Sequence, residues 1–266
     1  MTVVLPFDSH NHIHMGPSSP QQSLKVPLSG MAIMSTHPRD FNTVLDLSTT
    51  LSNESRHTVP CFGVHPWFLH ETESNWITEL EYWIAETPSA IVGEIGLDGF
   101  HFDPDTQQLT SSLEDQKQAF LNQMELAAQY DRPVSIHTVQ CFGTLFESLS
   151  LLRKRKKMPL KMYFHAFGGK VGTVDQLIAA CKGSEVYFGF APVINFRSPK
   201  TADVIRKVGL NRLLLETDHE DAAYVPESVQ SGIRIIAEAL GCSEREVVET
   251  TTANAFQFYR ISLEVE

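Results

Sequence analysis

The sequence lacks the long apolar segments that membrane proteins carry. No uninterrupted run approaches the roughly 20 apolar residues that a membrane-spanning helix needs. The first seven residues, Met-Thr-Val-Val-Leu-Pro-Phe, contain no basic residue and no long apolar stretch, so they do not resemble a secretory signal. We therefore expect a protein that neither spans a membrane nor enters the secretory pathway.

Cysteine is scarce, and the cysteines present are far apart. There are four among 266 residues, and no two are close enough in sequence to suggest a zinc-binding pair or a disulfide framework. Scattered cysteines of this kind are typical of reduced thiols inside the cell. The sequence predicts a cytoplasmic protein, with the nucleus as the alternative compartment. The cysteines are Cys61, Cys141, Cys181 and Cys242.

Positive charge is also limited, because the formal net charge is −11. A protein that holds nucleic acid along a broad groove normally has a basic stripe. The only basic run here is Arg-Lys-Arg-Lys-Lys at 153–157. Two interpretations stay open: a solvated helix end, where cations meet the negative end of the helix dipole, and a localisation signal or phosphate contact.

Repeats, low-complexity blocks and Gly/Ser-rich linkers are absent, so nothing divides the chain into separate domains. Instead, short and mostly apolar β-branched runs alternate with helical patterns. Such near-continuous apolar runs are typical of parallel strands that are buried on both faces. The predicted strands are Val3–Ser9, Met31–Thr36, Val59–His65, Ala90–Leu97, Pro133–Thr138, Lys161–Phe167, Glu185–Phe190 and Arg212–Thr217.

Eight strands alternating with helices predict a single (β/α)8 TIM barrel over residues 1–266 rather than an open sheet. The first connection, residues 16–28, contains three prolines, so we expect the first helix to be shortened or missing. The other predicted helices are Phe41–Thr50, Trp76–Glu86, Glu114–Tyr130, Gly143–Lys157, Val171–Lys182, Pro199–Val208, Glu227–Leu240 and Ser243–Tyr259.

Side chains of the kind that bind metals stand at the carboxyl ends of several strands, where barrel enzymes build their sites. His10 and His12 point to the same side of the first strand, because strand side chains alternate, and can chelate one cation. Glu94 lies within an apolar strand, where an acid is costly to bury unless it is paired or binds a metal. Each alone could be an ordinary polar group, but their coincidence predicts a metal site. The remaining members are His137, His165 and Asp218.

These residues stand in motifs that resemble those of the TatD family of metal-dependent deoxyribonucleases, within the amidohydrolase-type barrel superfamily. The similar segments occur in the same order along almost the whole chain, from residue 8 to residue 256. They are D-S-H-N-H at 8–12, G-V-H-P-W at 63–67, G-E-I-G-L-D at 93–98, P-V-S-I-H at 133–137, H-A-F-G-G at 165–169, L-L-L-E-T-D at 213–218 and N-A at 254–255.

The resemblance implies a hydrolase that acts on ester bonds with two divalent cations. Zinc suits imidazole and carboxylate ligands, and manganese or magnesium are alternatives. The implied division is that one ion is bound by His10, His12, Glu94 and Asp218, and the other by Glu94, His137 and His165. Glu94 would then bridge the two ions, and Asp218 would also be the catalytic group that orients a water molecule and accepts its proton.

Several neighbours have predicted supporting roles. His65 and Trp67 are candidate substrate contacts, with packing at the end of the third strand as the alternative. Asp98 and Glu216 are candidates for fixing ligand histidines, with simple salt bridging as the alternative. We expect Asp8 to cap or orient its neighbours rather than to bind a metal.

Two segments depart from the family pattern. Thr-Val-Gln at 138–140 stands where the family usually has a small residue followed by Arg-Asp. His-Glu-Asp at 219–221 stands where the family commonly continues Ala/Cys-Pro. Because these positions shape the substrate pocket, metal binding is better supported by the resemblance than DNA cleavage is.

Three functions therefore remain open. The first is phosphodiester hydrolysis, with DNA ends as substrate; the second is hydrolysis of a small ester, lactone or amide. The third is a weakly catalytic barrel that acts as a protein-interaction partner. Against DNA stand the acidic segments 98–105 and 218–221. The basic run also ends a helix, and barrel helices run antiparallel to the strands, so it should lie on the opposite face.

Overall fold

The computed structural model of the chain describes residues 4–262. Eight parallel strands follow one another in sequence order around one sheet, each paired with the next. The backbone N–H of Ser9 donates to the carbonyl of Leu215 at 2.7 Å, which closes the last strand onto the first. The predicted (β/α)8 barrel is confirmed. Its strands are β1 Phe7–Asn11, β2 Gly30–Met34, β3 His57–Phe62, β4 Ile91–Asp98, β5 Val134–Val139, β6 Lys161–Phe164, β7 Glu185–Gly189 and β8 Leu213–Leu214.

An α-helix follows every strand except the first. The first connection contains only a 3-10 helix, Pro20–Lys25, as the prolines of this segment predict. A second short 3-10 helix, Pro38–Asp40, precedes α1. The α-helices are α1 Phe41–Leu51, α2 Trp76–Glu86, α3 Leu113–Gln129, α4 Phe142–Arg155, α5 Val171–Ala180, α6 Pro192–Asn195, α7 Thr201–Val208, α8 Val225–Leu240 and α9 Glu244–Tyr259.

The first and last strands, which close the barrel, have different boundaries from those predicted from the sequence. The first strand begins at Phe7, after Pro6, which has no N–H to donate; the predicted start, Val3, lies outside the described residues. The last strand is regular only over Leu213–Leu214. The chain beyond it turns toward β1, where the N–H of Asp218 donates to the carbonyl of His10 at 2.9 Å.

The apolar core has two parts. One lies between the strands and the surrounding helices, and the other fills the barrel interior from the side of the amino ends of the strands. Phe258 and Tyr259 of α9 belong to this second part, and Tyr259 stacks on Phe7 with the ring centroids 5.3 Å apart. The α9 helix therefore closes one end of the barrel with aromatic rings and leaves the carboxyl ends for polar side chains.

The basic run at 153–157 ends α4, with Arg153, Lys154 and Arg155 in the last turn. Arg155 forms an ion pair with Glu125 at 2.6 Å. Because α4 begins directly after the carboxyl end of β5, its last turn lies toward the opposite face of the barrel. Over residues 4–262, none of the helices combines the length and apolar character needed to cross a bilayer.

Candidate metal centre

Glu94, near the carboxyl end of β4, is the centre of the polar cluster and is only 2% exposed. Its Oε2 lies 3.2 Å from Nε2 of His10 and 3.0 Å from Nε2 of His12, both from the end of β1. Asp218, which follows β8, lies on the same side: its Oδ1 is 3.7 Å from each of these two nitrogens. These four side chains form the first group of ligand atoms.

The other carboxylate oxygen of Glu94 faces a different set of imidazoles. Its Oε1 lies 3.1 Å from Nδ1 of His137 at the end of β5 and 2.6 Å from Nε2 of His165 after β6. A third imidazole, His65, places Nε2 at 3.3 Å from the same oxygen. The two oxygens of one buried carboxylate therefore divide five imidazoles into two groups, and the structure brings together all six predicted ligands.

Hydrogen bonds on the far side of the rings orient three histidines of the cluster. Nδ1–H of His12 donates to the carbonyl of Met34 at 2.9 Å, so Nε2 is the nitrogen that faces Glu94. Nδ1 of His10 is 3.1 Å from the hydroxyl of Ser135. In each ring one nitrogen is held from outside and the other faces the centre, which is the arrangement that metal-binding histidines need.

Asp98 fixes the orientation of the His137 ring by a hydrogen bond of the same kind. Its Oδ2 lies 3.0 Å from Nε2 of His137 and also accepts the indole N–H of Trp67 at 2.7 Å. Burial would raise the pKa of Asp98, but these hydrogen bonds lower it to about 2, so the carboxylate is ionised. The ring of His137 therefore carries a proton on Nε2, and Nδ1 is the atom that faces Glu94.

His65 has the opposite tautomer, and this distinction cannot be read from the sequence. The backbone N–H of Trp67 donates to Nδ1 of His65 at 3.2 Å, so Nδ1 is the acceptor and Nε2 carries the proton. Burial lowers the pKa of His65 to about 4, which keeps the ring neutral. The one proton of this neutral ring is thus on the nitrogen that faces Glu94, so that nitrogen has no free lone pair for a metal.

The cluster fits divalent cations better than it fits an empty hydrogen-bond network. Nε2 of His10 and Nε2 of His12 face each other at 3.2 Å. Both ring nitrogens of His165 are buried without a hydrogen-bond partner in the described part of the chain, although Nε2 is so close to Glu94. Lone pairs that converge in this way repel one another unless a cation lies between them.

The charges of the cluster lead to the same conclusion. Burial disfavours protonation of His12, but its hydrogen bonds to Glu94 and Met34 and the charges of Glu94 and Asp218 together outweigh this and raise the pKa of His12 to about 9. For Glu94, burial raises the pKa, whereas the surrounding histidines lower it below its usual range. A site that attracts a proton this strongly also attracts a metal cation, which competes with that proton.

Glu216 and Asp8 lie behind the centre rather than in it. Glu216 is buried, accepts the hydroxyl proton of Tyr163, and accepts the N–H of Ala166 at 2.7 Å. It therefore reaches the backbone next to His165 rather than a ligand imidazole. Asp8 accepts the N–H of Thr217 at 3.0 Å and its hydroxyl proton at 2.8 Å, so it ties the end of β1 to the segment after β8.

A pocket of 260 Å³ opens over the cluster. Its wall includes the apolar side chains of Trp67, Phe68 and Ile194, and it includes one additional acid, Glu220. Trp67 also stacks on His101 with the ring centroids 4.3 Å apart. Both His65 and Trp67, the predicted substrate contacts, line this pocket.

Residues 7–260 match the model of the TatD related DNase family. The chain belongs to this family. The Cut9-interacting protein scn1 of Schizosaccharomyces pombe is 23% identical, over 96% of this chain and 99% of the relative. The putative deoxyribonuclease tatdn3 of Danio rerio is 26% identical, over 88% of this chain and 87% of the relative.

The fold of this TatD-related chain also agrees with solved structures. The crystal structure of YJJV, the TatD homologue of Escherichia coli K12, matches with a TM-score of 0.79 and 24% identity, over 98% of this chain and 100% of that one. Family, fold and the general class of metal-dependent hydrolase acting on ester bonds are thus confirmed as the sequence predicts.

Proposed function

We propose that this TatD-related protein hydrolyses phosphodiesters at nucleic-acid ends, using two divalent cations. The observation that carries this proposal is the division of five imidazoles between the two oxygens of Glu94. A shared carboxylate between two cations is the arrangement that acts on both the attacking and the leaving oxygen of a phosphodiester. The family and the name of the Danio rerio relative favour DNA as the substrate.

The proposed ligands follow from the two groups of atoms. His10, His12 and Asp218 would hold one ion on the Oε2 side of Glu94, and His137 and His165 the other on the Oε1 side. We propose zinc, because four of these six ligands are imidazoles. When bound, such ions polarise a phosphoryl oxygen and make a neighbouring water molecule more acidic.

The chain's own residues supply the proton transfers and the orientation. Asp218 accepts the proton of the attacking water, whose oxygen forms the new bond to phosphorus. The ester bond to the leaving oxygen breaks, and that oxygen takes up a proton. Burial raises the pKa of Asp218, which suits a proton acceptor. His65, which lines the pocket, contacts the bound substrate.

The supporting roles are also proposals. Asp98 fixes the ring of His137, and it orients Trp67 over the pocket. Glu216 holds the turn at Ala166 and so places His165. These buried hydrogen bonds hold the ligand atoms in position before any ion or substrate arrives.

The test uses the zinc-loaded protein with single-stranded DNA, bis(p-nitrophenyl) phosphate and p-nitrophenyl acetate. We expect turnover of the two phosphodiesters and a loss of at least about 100-fold in the Asp218→Asn variant. Asp105→Asn is the matched control, because Asp105 is exposed and does not line the pocket. Turnover of the acetate alone, lost in Asp218→Asn, would refute the nuclease proposal.

A second candidate is hydrolysis of a small ester, lactone or amide. The pocket over the cluster is only 260 Å³, has apolar walls and carries Glu220, which repels an anionic substrate. The same three substrates distinguish this function from the first, because it requires the carbonyl ester to be hydrolysed faster than the phosphodiesters.

A third candidate, a protein-interaction role, is favoured by the name of the Schizosaccharomyces pombe relative. Full metal occupancy without turnover of any substrate would favour this role. The four free cysteines suit the cytoplasm or the nucleus, where such a partner would be met.

A further inference from the structure

A second cleft lies beside the metal pocket. Its volume is 730 Å³, and its walls come from the segments that follow β5, β6 and β7. Four residues line both cavities, so the two are adjoining parts of one surface depression: Thr138, Val139, Ala166 and Ile194. The metal pocket alone is smaller than the roughly 300–1,000 Å³ of typical ligand sites, whereas the cleft is within that range.

The inner wall of the cleft is apolar and is not covered by the rest of the fold. Ile194, at the junction, is 52% exposed, and Val171 at the start of α5 is 41% exposed. Phe142 at the start of α4 lines the same cleft. Exposed apolar side chains grouped around a cavity are typical of a surface that a flat, partly apolar ligand covers.

Two lysines give the cleft a positive charge that the metal pocket lacks. Lys170 and Lys200 line the cleft but not the metal pocket, and neither has an ion pair with another residue between 4 and 262. The one acid of the cleft, Asp203, is paired with Arg206 at 2.5 Å. Glu220 lies in the metal pocket and not in the cleft. A second phosphate next to the scissile one is therefore attracted to these lysines.

A free hydrogen-bonding group lies where the two cavities meet. The hydroxyl of Thr138 is buried and has no hydrogen-bond partner in the structure of residues 4–262. Thr138 lines both the metal pocket and the cleft, so it lies at the junction of the two cavities. A buried hydroxyl of this kind is stabilised when a bound polar group completes its hydrogen bond.

We propose that this cleft binds the nucleotide next to the scissile phosphate. Its base lies against Phe142 and Ile194, and its outer phosphate lies between Lys170 and Lys200. The substrate is then a nucleic-acid strand with at least two phosphates rather than an isolated phosphodiester. This inference rests on the proposed function. It adds a preferred length of the substrate strand and the direction in which that strand lies, from the metal pocket into the cleft.

The experiment compares two hydrolysis-resistant probes, a phosphorothioate-linked thymidine dinucleotide and trinucleotide, by titration calorimetry on the zinc-loaded protein. The trinucleotide, with its second phosphate, is expected to bind about tenfold more tightly. Each of Lys170→Ala and Lys200→Ala should reduce this advantage by about threefold to fivefold. The dependence of trinucleotide binding on salt should also weaken in both variants.

Two further variants separate this inference from general effects. Gly172→Trp places an indole in the cleft, where an added Cβ meets no atom within 4 Å, and should abolish the trinucleotide advantage. The double variant Lys154→Ala/Lys157→Ala removes the same charge as the two cleft lysines from an exposed region that lines neither cavity. This control variant should still bind the trinucleotide more tightly than the dinucleotide.

The outcomes distinguish the two proposals. Equal binding of the two probes, or an equal loss in the Lys154→Ala/Lys157→Ala control, overturns the cleft assignment while hydrolysis of bis(p-nitrophenyl) phosphate still supports the proposed function. Absence of all phosphodiester hydrolysis overturns the proposed function and the cleft assignment with it.

Discussion

The two ends of the barrel interior are built from the same strands but have opposite chemistry. At the amino end, Phe7 packs against Tyr259, which packs in turn against Phe258, and the apolar core is closed. At the carboxyl end, five imidazoles surround Glu94 with short contacts between lone pairs. This difference shows that stability and function are separated along the strands. The amino end stabilises the fold by burying apolar area. The carboxyl end holds groups that repel one another unless a cation lies between them.

The largest effect is expected from Glu94→Ala. Because both groups of imidazoles face this one carboxylate, its removal should lower metal content at both positions, from two equivalents to less than about one. Elemental analysis after dialysis measures this, with Glu86→Ala at the exposed end of α2 as the control. Retention of two tightly bound equivalents would reject the bridge.

Phe258→Ala tests the apolar amino end of the barrel interior. Phe258 is fully buried between Tyr163 and Tyr187, with ring centroids at 5.8 Å and 5.6 Å. Removing the ring should lower the free energy of unfolding by about 3–5 kcal/mol through lost burial and a cavity. Urea unfolding measures the loss, and metal content in the native protein should stay unchanged. A parallel loss of metal would show that the two ends are not separable.

Asp98→Asn should have a smaller effect, confined to one ion. The variant keeps the size of the side chain but removes the charge that fixes His137. Loss of a group that orients a ligand typically lowers metal affinity by about 10–100-fold. Competition with a chelating dye should resolve one weakened and one unchanged site. Equal weakening of both sites, or none, would contradict the role of Asp98.

Tyr259→Phe should have the smallest effect. The hydroxyl of Tyr259 donates to the carbonyl of Ser9 at 2.6 Å, one residue before His10. Its loss should lower the free energy of unfolding by about 1 kcal/mol. The same dye competition should find metal affinity unchanged, because the ring still packs against Phe7. A clear fall in affinity would show that this aromatic end also positions the ligands.

Much of the centre could be predicted from the sequence because strand order fixes where residues meet. His10 lies in β1, Glu94 in β4 and Asp218 beyond β8, and the parallel strands of the barrel bring these distant residues to one rim. The regular alternation in β1 also places His10 and His12 on one side. The missing first helix was predictable from prolines, whose effect is local.

The rest depends on contacts that no local pattern encodes. The tautomer of His65 follows from the N–H of Trp67, and the orientation of His137 follows from Asp98. The short helix α6 and the two-residue strand β8 do not follow the predicted element boundaries. Lys170 and Lys200 are separated by 29 intervening residues and belong to no motif, so only the fold shows that they line one cleft.

The central claim is that the two oxygens of Glu94 face two separate cations. Anomalous scattering at the zinc edge, from crystals grown with zinc, tests this most directly. The account predicts two peaks on opposite sides of the Glu94 carboxylate, one beside His10 and His12 and the other beside His137 and His165. A single peak, or imidazoles turned away from Glu94 with no peak between them, would contradict it.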